Sequence, residues 1–229
     1  MQVVKKVFRT EDTGKMFEMA ICMANETPFV SKTPYKYDMP KEALVSRLQA
    51  LVPRTGPLTH TAQNGGRYDF SSPTDPLFHL SAKTTKKDGK VAPQVIGQPK
   101  PQKFCDELGI VFTDIPTLKQ HIQENIPHIL PKLEEYTFSS PIVYYNEKTS
   151  RLCYLKQTTP IDWSNYTFTW TKPASSWNVS STLKVRHNEK DISIMEIEFH
   201  SKSRANMAIR WCFETVLDVF KRHFEIVEL

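Results

Sequence analysis

Two runs of the chain carry side chains suited to hydrolytic chemistry. They are Gly65-Gly66-Arg67-Tyr68-Asp69-Phe70 and, a short turn later, Leu77-Phe78-His79-Leu80-Ser81-Ala82-Lys83. Each reads as a strand, and together they read as a hairpin. Strand alternation puts Arg67 and Asp69 on one face of the first run and Leu77, His79, Ser81 and Lys83 on one face of the second. Tyr68 and Phe70, with Phe78, Leu80 and Ala82, supply the apolar backing. An acid that holds a divalent cation, beside a lysine that orients or polarises an attacking water, is what metal-dependent phosphodiester hydrolysis requires. Plainer roles exist for each residue. Asp69 can pair with Arg67 or cap the turn, Lys83 can be a solvated strand lysine, and His79 can bond to a neighbour. A nucleophilic role for Ser81 finds no support, because no nucleophile-elbow pattern surrounds it.

The elements that must position these groups follow from periodicity. A helix is predicted from about Thr13 to Asn25, with Phe17, Ala20, Ile21 and Ala24 as its apolar stripe and Glu18 beside that stripe. A second helix is predicted from Pro40 to Val52, ended by Pro53. Beyond the hairpin come a strand at Val91 to Ile96, a short helix at Gln102 to Leu108, and a helical pattern from Leu118 to Tyr136 interrupted by Pro127 and Pro131. The pattern then turns to strands: a hairpin of Ile142 to Tyr145 and Leu152 to Leu155, then Tyr166 to Trp170, Thr182 to Arg186 and Ile192 to Phe199. A closing helix is predicted from Arg204 to Phe224. These elements imply a mixed α/β fold, a central mixed sheet holding the hairpin and flanked by helices, with an antiparallel C-terminal elaboration. A single domain over residues 1–229 is expected, with a catalytic core at about 10–110 and a recognition or dimerisation elaboration at about 111–229.

A formal net charge of +5 permits a nucleic-acid partner without requiring one, so the distribution of charge matters more. Lys86, Lys87 and Lys90 crowd the turn after the hairpin and suit phosphate contacts, with Arg67 on the hairpin itself. Lys202, Arg204, Asn206 and Arg210 gather at the predicted start of the last helix, where arginine-to-guanine and asparagine-to-adenine contacts are geometrically good. Trp163, Tyr166, Phe168, Trp170 and Trp177 read as core or dimer interface before a base-stacking platform. The 4 cysteines are widely separated, which excludes zinc-finger spacing and argues against a disulfide framework. No apolar run is long enough for a signal peptide or a membrane span, so an intracellular, cytoplasmic protein with no membrane partner is expected.

This order of parts resembles the PD-(D/E)xK nuclease superfamily and, within it, the type II restriction endonucleases. The resemblance runs from Glu18, in Gly14-Lys15-Met16-Phe17-Glu18, through Asp69 to Ser81-Ala82-Lys83 and the strand after it, roughly the first half of the chain. It extends more loosely to the segment from Glu198 to Trp211. The resemblance implies cleavage of double-stranded DNA at a short sequence with Mg2+. Asp69, Glu18 and the Ala82 carbonyl would hold the metal, and Lys83 would position the attacking water. It also implies a homodimer acting on a palindrome. The family's second acid falls on Ser81, a weaker ligand for Mg2+ than a carboxylate, so Glu18 would supply the missing charge. Two alternatives remain open at the level of sequence: a catalytically weak or silent DNA-binding module of the same fold, and a repair-type or RNA-directed nuclease.

Overall fold

The computed structural model describes residues 10–62, 66–86, 89–200 and 205–229, with the side chains of residues 10 and 11 left aside. They fall into two compact units. The first draws on Met1–Lys87, Ser140–Leu155 and Ile226–Leu229; the second on Asp88–Ser139 and Lys156–Glu225.

The first unit begins with helix α1 (Thr10–Ala24), whose Phe17, Ala20, Ile21 and Ala24 are all buried. Helices α2 (Glu42–Leu48) and α3 (Val52–Thr55) follow, joined by a 3-10 turn at Gln49–Leu51. Pro53 does not stop this run. It lies in the first turn of α3, where its missing N–H costs no hydrogen bond.

Three short strands come next: β1 (Thr59–His60), β2 (Phe70–Ser71) and β3 (His79–Thr85). β2 and β3 form the expected hairpin, with Phe70 opposite Leu80 and Ser71 opposite His79. Its first arm is much shorter than alternation suggested. Asp69 lies just before β2, and Gly65 lies outside the described residues. β1, not anticipated, pairs antiparallel with β2. On its other side β3 runs parallel to β5 (Ile142–Asn146), which forms a hairpin with β6 (Arg151–Gln157). With β11 (Phe224–Glu228) the sheet reads β1-β2-β3-β5-β6-β11, a mixed sheet. One face packs on α1 and α2 through Phe70, Leu80, Val143, Leu152 and Tyr154.

The second unit holds a five-stranded antiparallel sheet in the order β4-β10-β9-β8-β7. Its strands are β4 (Lys90–Val91), β7 (Phe168–Trp170), β8 (Ser180–His187), β9 (Lys190–Phe199) and β10 (Met207–Cys212). The helices are α4 (Pro101–Leu108), α5 (Ile115–Glu124), α6 (Ile126–Phe138) and α7 (Phe213–Val219). Pro127 opens α6 within its first turn, so one proline divides the long helical pattern into two helices, whereas Pro131 is carried inside α6.

Two predictions fail here. The strand expected from Val91 to Ile96 ends at Val91. Pro93 has no N–H to give a ladder, and Val95 adopts φ +60°. The turn brings Gly97 so close to the Pro93 carbonyl that a Cβ there would sit 2.5 Å from the oxygen. The helix expected from Arg204 to Phe224 is instead strand β10 followed by α7. Met207, Ile209 and Trp211 alternate along the strand and pair with β9, whereas Phe213, Val216, Leu217 and Phe220 carry the helical spacing onward. Apolar residues at both periods lie end to end, and pairing along β9 decides where one gives way to the other.

Candidate active site

Geometry at the hairpin starts from the backbone of β3. The Ser81 N–H donates to the Pro141 carbonyl at 3.0 Å, on the β5 side. Successive strand amides point to opposite edges, so the Ala82 N–H faces the β2 side, where β2 has already ended. Asp69 takes the vacated position: its Oδ2 accepts from the Ala82 N–H at 2.8 Å. The acid is thereby fixed to the residue that precedes Lys83.

Glu18 projects from α1 and is buried. Its Oε2 accepts from Lys15 Nζ at 2.8 Å and lies 3.0 Å from His60 Nε2. Burial works against the Glu18 charge, but the hydrogen bonds from His60 and Lys15 outweigh it and hold the carboxyl below its usual pKa. Asp69 goes the other way. Burial raises its pKa, the Lys83 charge and the Ala82 N–H oppose that rise, and the negative charge of Glu18 adds to it. The two carboxylates therefore feel each other. The Cys22 thiol, next along α1, reports the same field, pushed up to about 12 by burial and by Glu18.

Hydrogen bonding leaves one oxygen on each carboxylate, Asp69 Oδ1 and Glu18 Oε1, outside the bonds just described. Two hard oxygen donors fit Mg2+, which is commonly bound by one or two carboxylates together with waters and substrate phosphate. Among the described residues no group of three or more His, Cys, Asp or Glu side chains converges as a cage.

Ser81 does share a face with His79 and Lys83, but that face is covered at Ser81. The residue is fully buried, and its Oγ lies 3.3 Å from Ser140 Oγ. The hydroxyl thus lies buried against a neighbour, and the acid-like position of the motif contributes no exposed oxygen. His79 stacks on Tyr68 with ring centroids 4.4 Å apart, and its Nδ1 lies 2.9 Å from Ser71 Oγ. Lys83 is half-buried.

Of the candidate DNA contacts, Arg67 and Lys86 belong to the first unit and Asn206 and Arg210 to the second. Arg67 lies with its guanidinium 5.5 Å from the Tyr68 ring centroid, and Lys86 is half-buried directly after β3. Lys87, Lys202 and Arg204 lie outside the described residues. Asn206 accepts the His200 N–H through its backbone carbonyl. Arg210 sits on strand β10, not on a helix, and its Nη1 donates to Glu196 Oε1 at 3.1 Å and Glu198 Oε2 at 3.0 Å. Glu196 also meets Lys90 at 3.1 Å. The guanidinium is thus occupied by a carboxylate ladder within its own sheet.

Over 228 residues the chain is 40% identical to the type II restriction enzyme CviAII of Paramecium bursaria Chlorella virus 1. The match takes in 97% of this chain and 64% of that enzyme's length. No family model matches the chain, and no solved structure does. No described helix is long and apolar enough to cross a membrane.

Two participants were not singled out by sequence reading. Lys15 stands one helical turn before Glu18, a spacing at which lysine and glutamate meet, so a signal existed. His60 offered only its place after Leu58 in a short extended run, and its contact with Glu18 crosses 42 residues of chain.

Proposed function

We propose that the chain is a type II restriction endonuclease that cleaves double-stranded DNA at a short specific sequence by Mg2+-dependent phosphodiester hydrolysis, with a variant PD-(D/E)xK site. The observation that carries this reading is the 40% identity to a type II restriction enzyme along almost the whole chain. The disposition of Asp69, Glu18 and Lys83 supports it. In this reading Asp69 and Glu18 hold the metal with the Ala82 carbonyl, and Ser81 supports the strand from within. When bound, Mg2+ supplies charge stabilisation at the scissile phosphate and lowers the pKa of water. Asp69, pinned to the Ala82 N–H through Oδ2, would hold the cation with its other carboxylate oxygen. Lys83, one residue further along β3, holds the attacking water by hydrogen bonding and offsets the negative charge that develops on the phosphate.

In the same reading Arg67, Lys86 and Lys87 serve as phosphate contacts, and Lys202, Arg204 and Asn206 belong to DNA recognition. Arg210 supports that surface through its carboxylate ladder. The second unit serves recognition or self-association, with a homodimer on a palindromic site. The enzyme acts inside the cell.

Incubating duplex plasmid with the protein and Mg2+, then sequencing the fragment ends, tests the proposal. Discrete cuts at one short sequence are expected, abolished by Lys83→Ala while salt-sensitive DNA binding persists. Retained binding with no cutting by the unaltered protein would favour a silent DNA-binding module, the reading that the burial of Ser81 favours. Cleavage of RNA, or from DNA ends only, would defeat the restriction assignment.

A further inference from the structure

His60 is 3% exposed, and both nitrogens of its imidazole are engaged. Its Nδ1 accepts a hydrogen bond from the Val30 N–H at 3.1 Å, and its Nε2 lies 3.0 Å from Glu18 Oε2. A backbone amide can only donate, so Nδ1 carries the lone pair. The proton of the neutral ring is therefore on Nε2, directed at Glu18. The ring plane is held as well. Phe29 stacks on it with centroids 4.6 Å apart at 20°, and Phe70 lies 5.1 Å away, tilted 48°. His60 is also fixed by its backbone, paired with Phe70 across the β1–β2 ladder.

We propose that His60 is a positioning residue for the metal site, its Nε2–H holding Glu18 Oε2 so that the other Glu18 oxygen is left for the cation. The proposal rests on the nuclease reading, because only there does the orientation of Glu18 serve metal binding. Burial requires both ring nitrogens to be satisfied, and the partner that the fold supplies to Nε2 is the carboxylate assigned to the metal. Through Val30 and Phe29 the same ring ties Glu18 to the exposed segment between α1 and α2. There Phe29 meets Tyr35 with centroids 5.5 Å apart, and Tyr35 meets Tyr37 at 5.4 Å. The orientation of Glu18 thus depends, through one imidazole, on a segment that follows it in sequence beyond the end of α1.

Two measurements test this, the first without metal. Long-range proton–nitrogen NMR of the metal-free protein should show His60 with an unprotonated Nδ1 and a protonated Nε2; the reverse tautomer overturns the proposal. Calorimetric titration with Mg2+ alone should then show half-saturation moving up by about 10- to 100-fold in His60→Ala, the range typical when the partner of a metal ligand is lost. His60→Gln, which keeps a side-chain N–H donor, should recover most of that loss. Folded His60→Ala with wild-type Mg2+ affinity overturns the proposal. Should His60→Ala fail to fold, Val30→Pro carries the test: it removes the amide that fixes the tautomer, at a residue that is 44% exposed. A raised Mg2+ half-saturation in Val30→Pro supports the proposal, and an unchanged one overturns it. The nuclease reading is assayed separately by DNA cutting with wild type and Lys83→Ala. If those two differ as expected while Mg2+ affinity ignores His60, only the present inference fails. If wild type neither binds Mg2+ nor cuts, both fail together.

Discussion

Replacing Asp69 by alanine and by asparagine separates its two jobs, accepting a backbone hydrogen bond and carrying a charge. Alanine leaves the Ala82 N–H, now bonded at 2.8 Å, without its acceptor at an edge where the neighbouring strand has ended. Leaving such a donor unsatisfied costs about 1–3 kcal/mol. For a chain of this size each kcal/mol corresponds to about 2–4 °C, so the thermal midpoint should fall by roughly 2–12 °C. Asparagine keeps a carbonyl oxygen for Ala82 and discards the charge. The sign of that second change follows from the raised Asp69 pKa. A carboxyl whose pKa is raised by folding contributes stability that is fully present below its unfolded pKa and is lost as pH rises through the folded value. With metal chelated, Asp69→Asn should therefore match wild type near about pH 4 or below and gain on it as pH rises from there. Both variants should lose DNA cleavage by more than the about 10- to 100-fold that follows loss of an outer partner of a metal site. Calorimetric melting from acid to neutral pH, with plasmid cleavage alongside, reads all of this. Equal stability of the two variants would refute the role of the Ala82 bond, and wild-type cutting by Asp69→Asn would refute the metal role.

Glu18 should show the opposite pH sign. Its pKa is lowered, so the stability it contributes is present above the unfolded glutamate value and is lost as pH falls through the folded one. In chelator, the stability gap between wild type and Glu18→Gln should be largest near neutrality and close below about pH 4, as followed by melting across pH. In the second unit, Glu134 accepts through Oε1 from the Ile161 N–H and Gln157 Nε2, and through Oε2 from Trp163 Nε1. A glutamine there turns its amide nitrogen toward at least one of these donors in either orientation. Glu134→Gln should therefore cost about 1–3 kcal/mol in urea unfolding and shift Trp163 fluorescence; an unchanged midpoint would contradict the hydrogen-bond assignment.

Much of the candidate site's layout was legible because local periodicity decides which way a side chain points. The stripe of Phe17, Ala20, Ile21 and Ala24 leaves Glu18 at its margin, and alternation along β3 puts Ser81 and Lys83 on one face whatever they later meet. The hairpin of β5 and β6 and the strands β8 and β9 were legible for the same reason. What alternation cannot say is whether a face stays open. Ser81 is closed over by Ser140, 59 residues away, once β5 comes alongside β3 in parallel. Arg210 likewise changes character when β10 pairs with β9 and brings Glu196 and Glu198 to it. His60 becomes the partner of Glu18 only through the β1–β2 ladder and the packing of α1. Local steric and hydrophobic preferences act over a few residues and are written into the order of residue types. Strand partners and buried hydrogen bonds are chosen by contacts between distant segments, and those exist only in the folded chain. The hairpin's acid and lysine are therefore a property of the sequence, while the company they keep, Glu18 with His60 and a sealed Ser81, is a property of the tertiary structure.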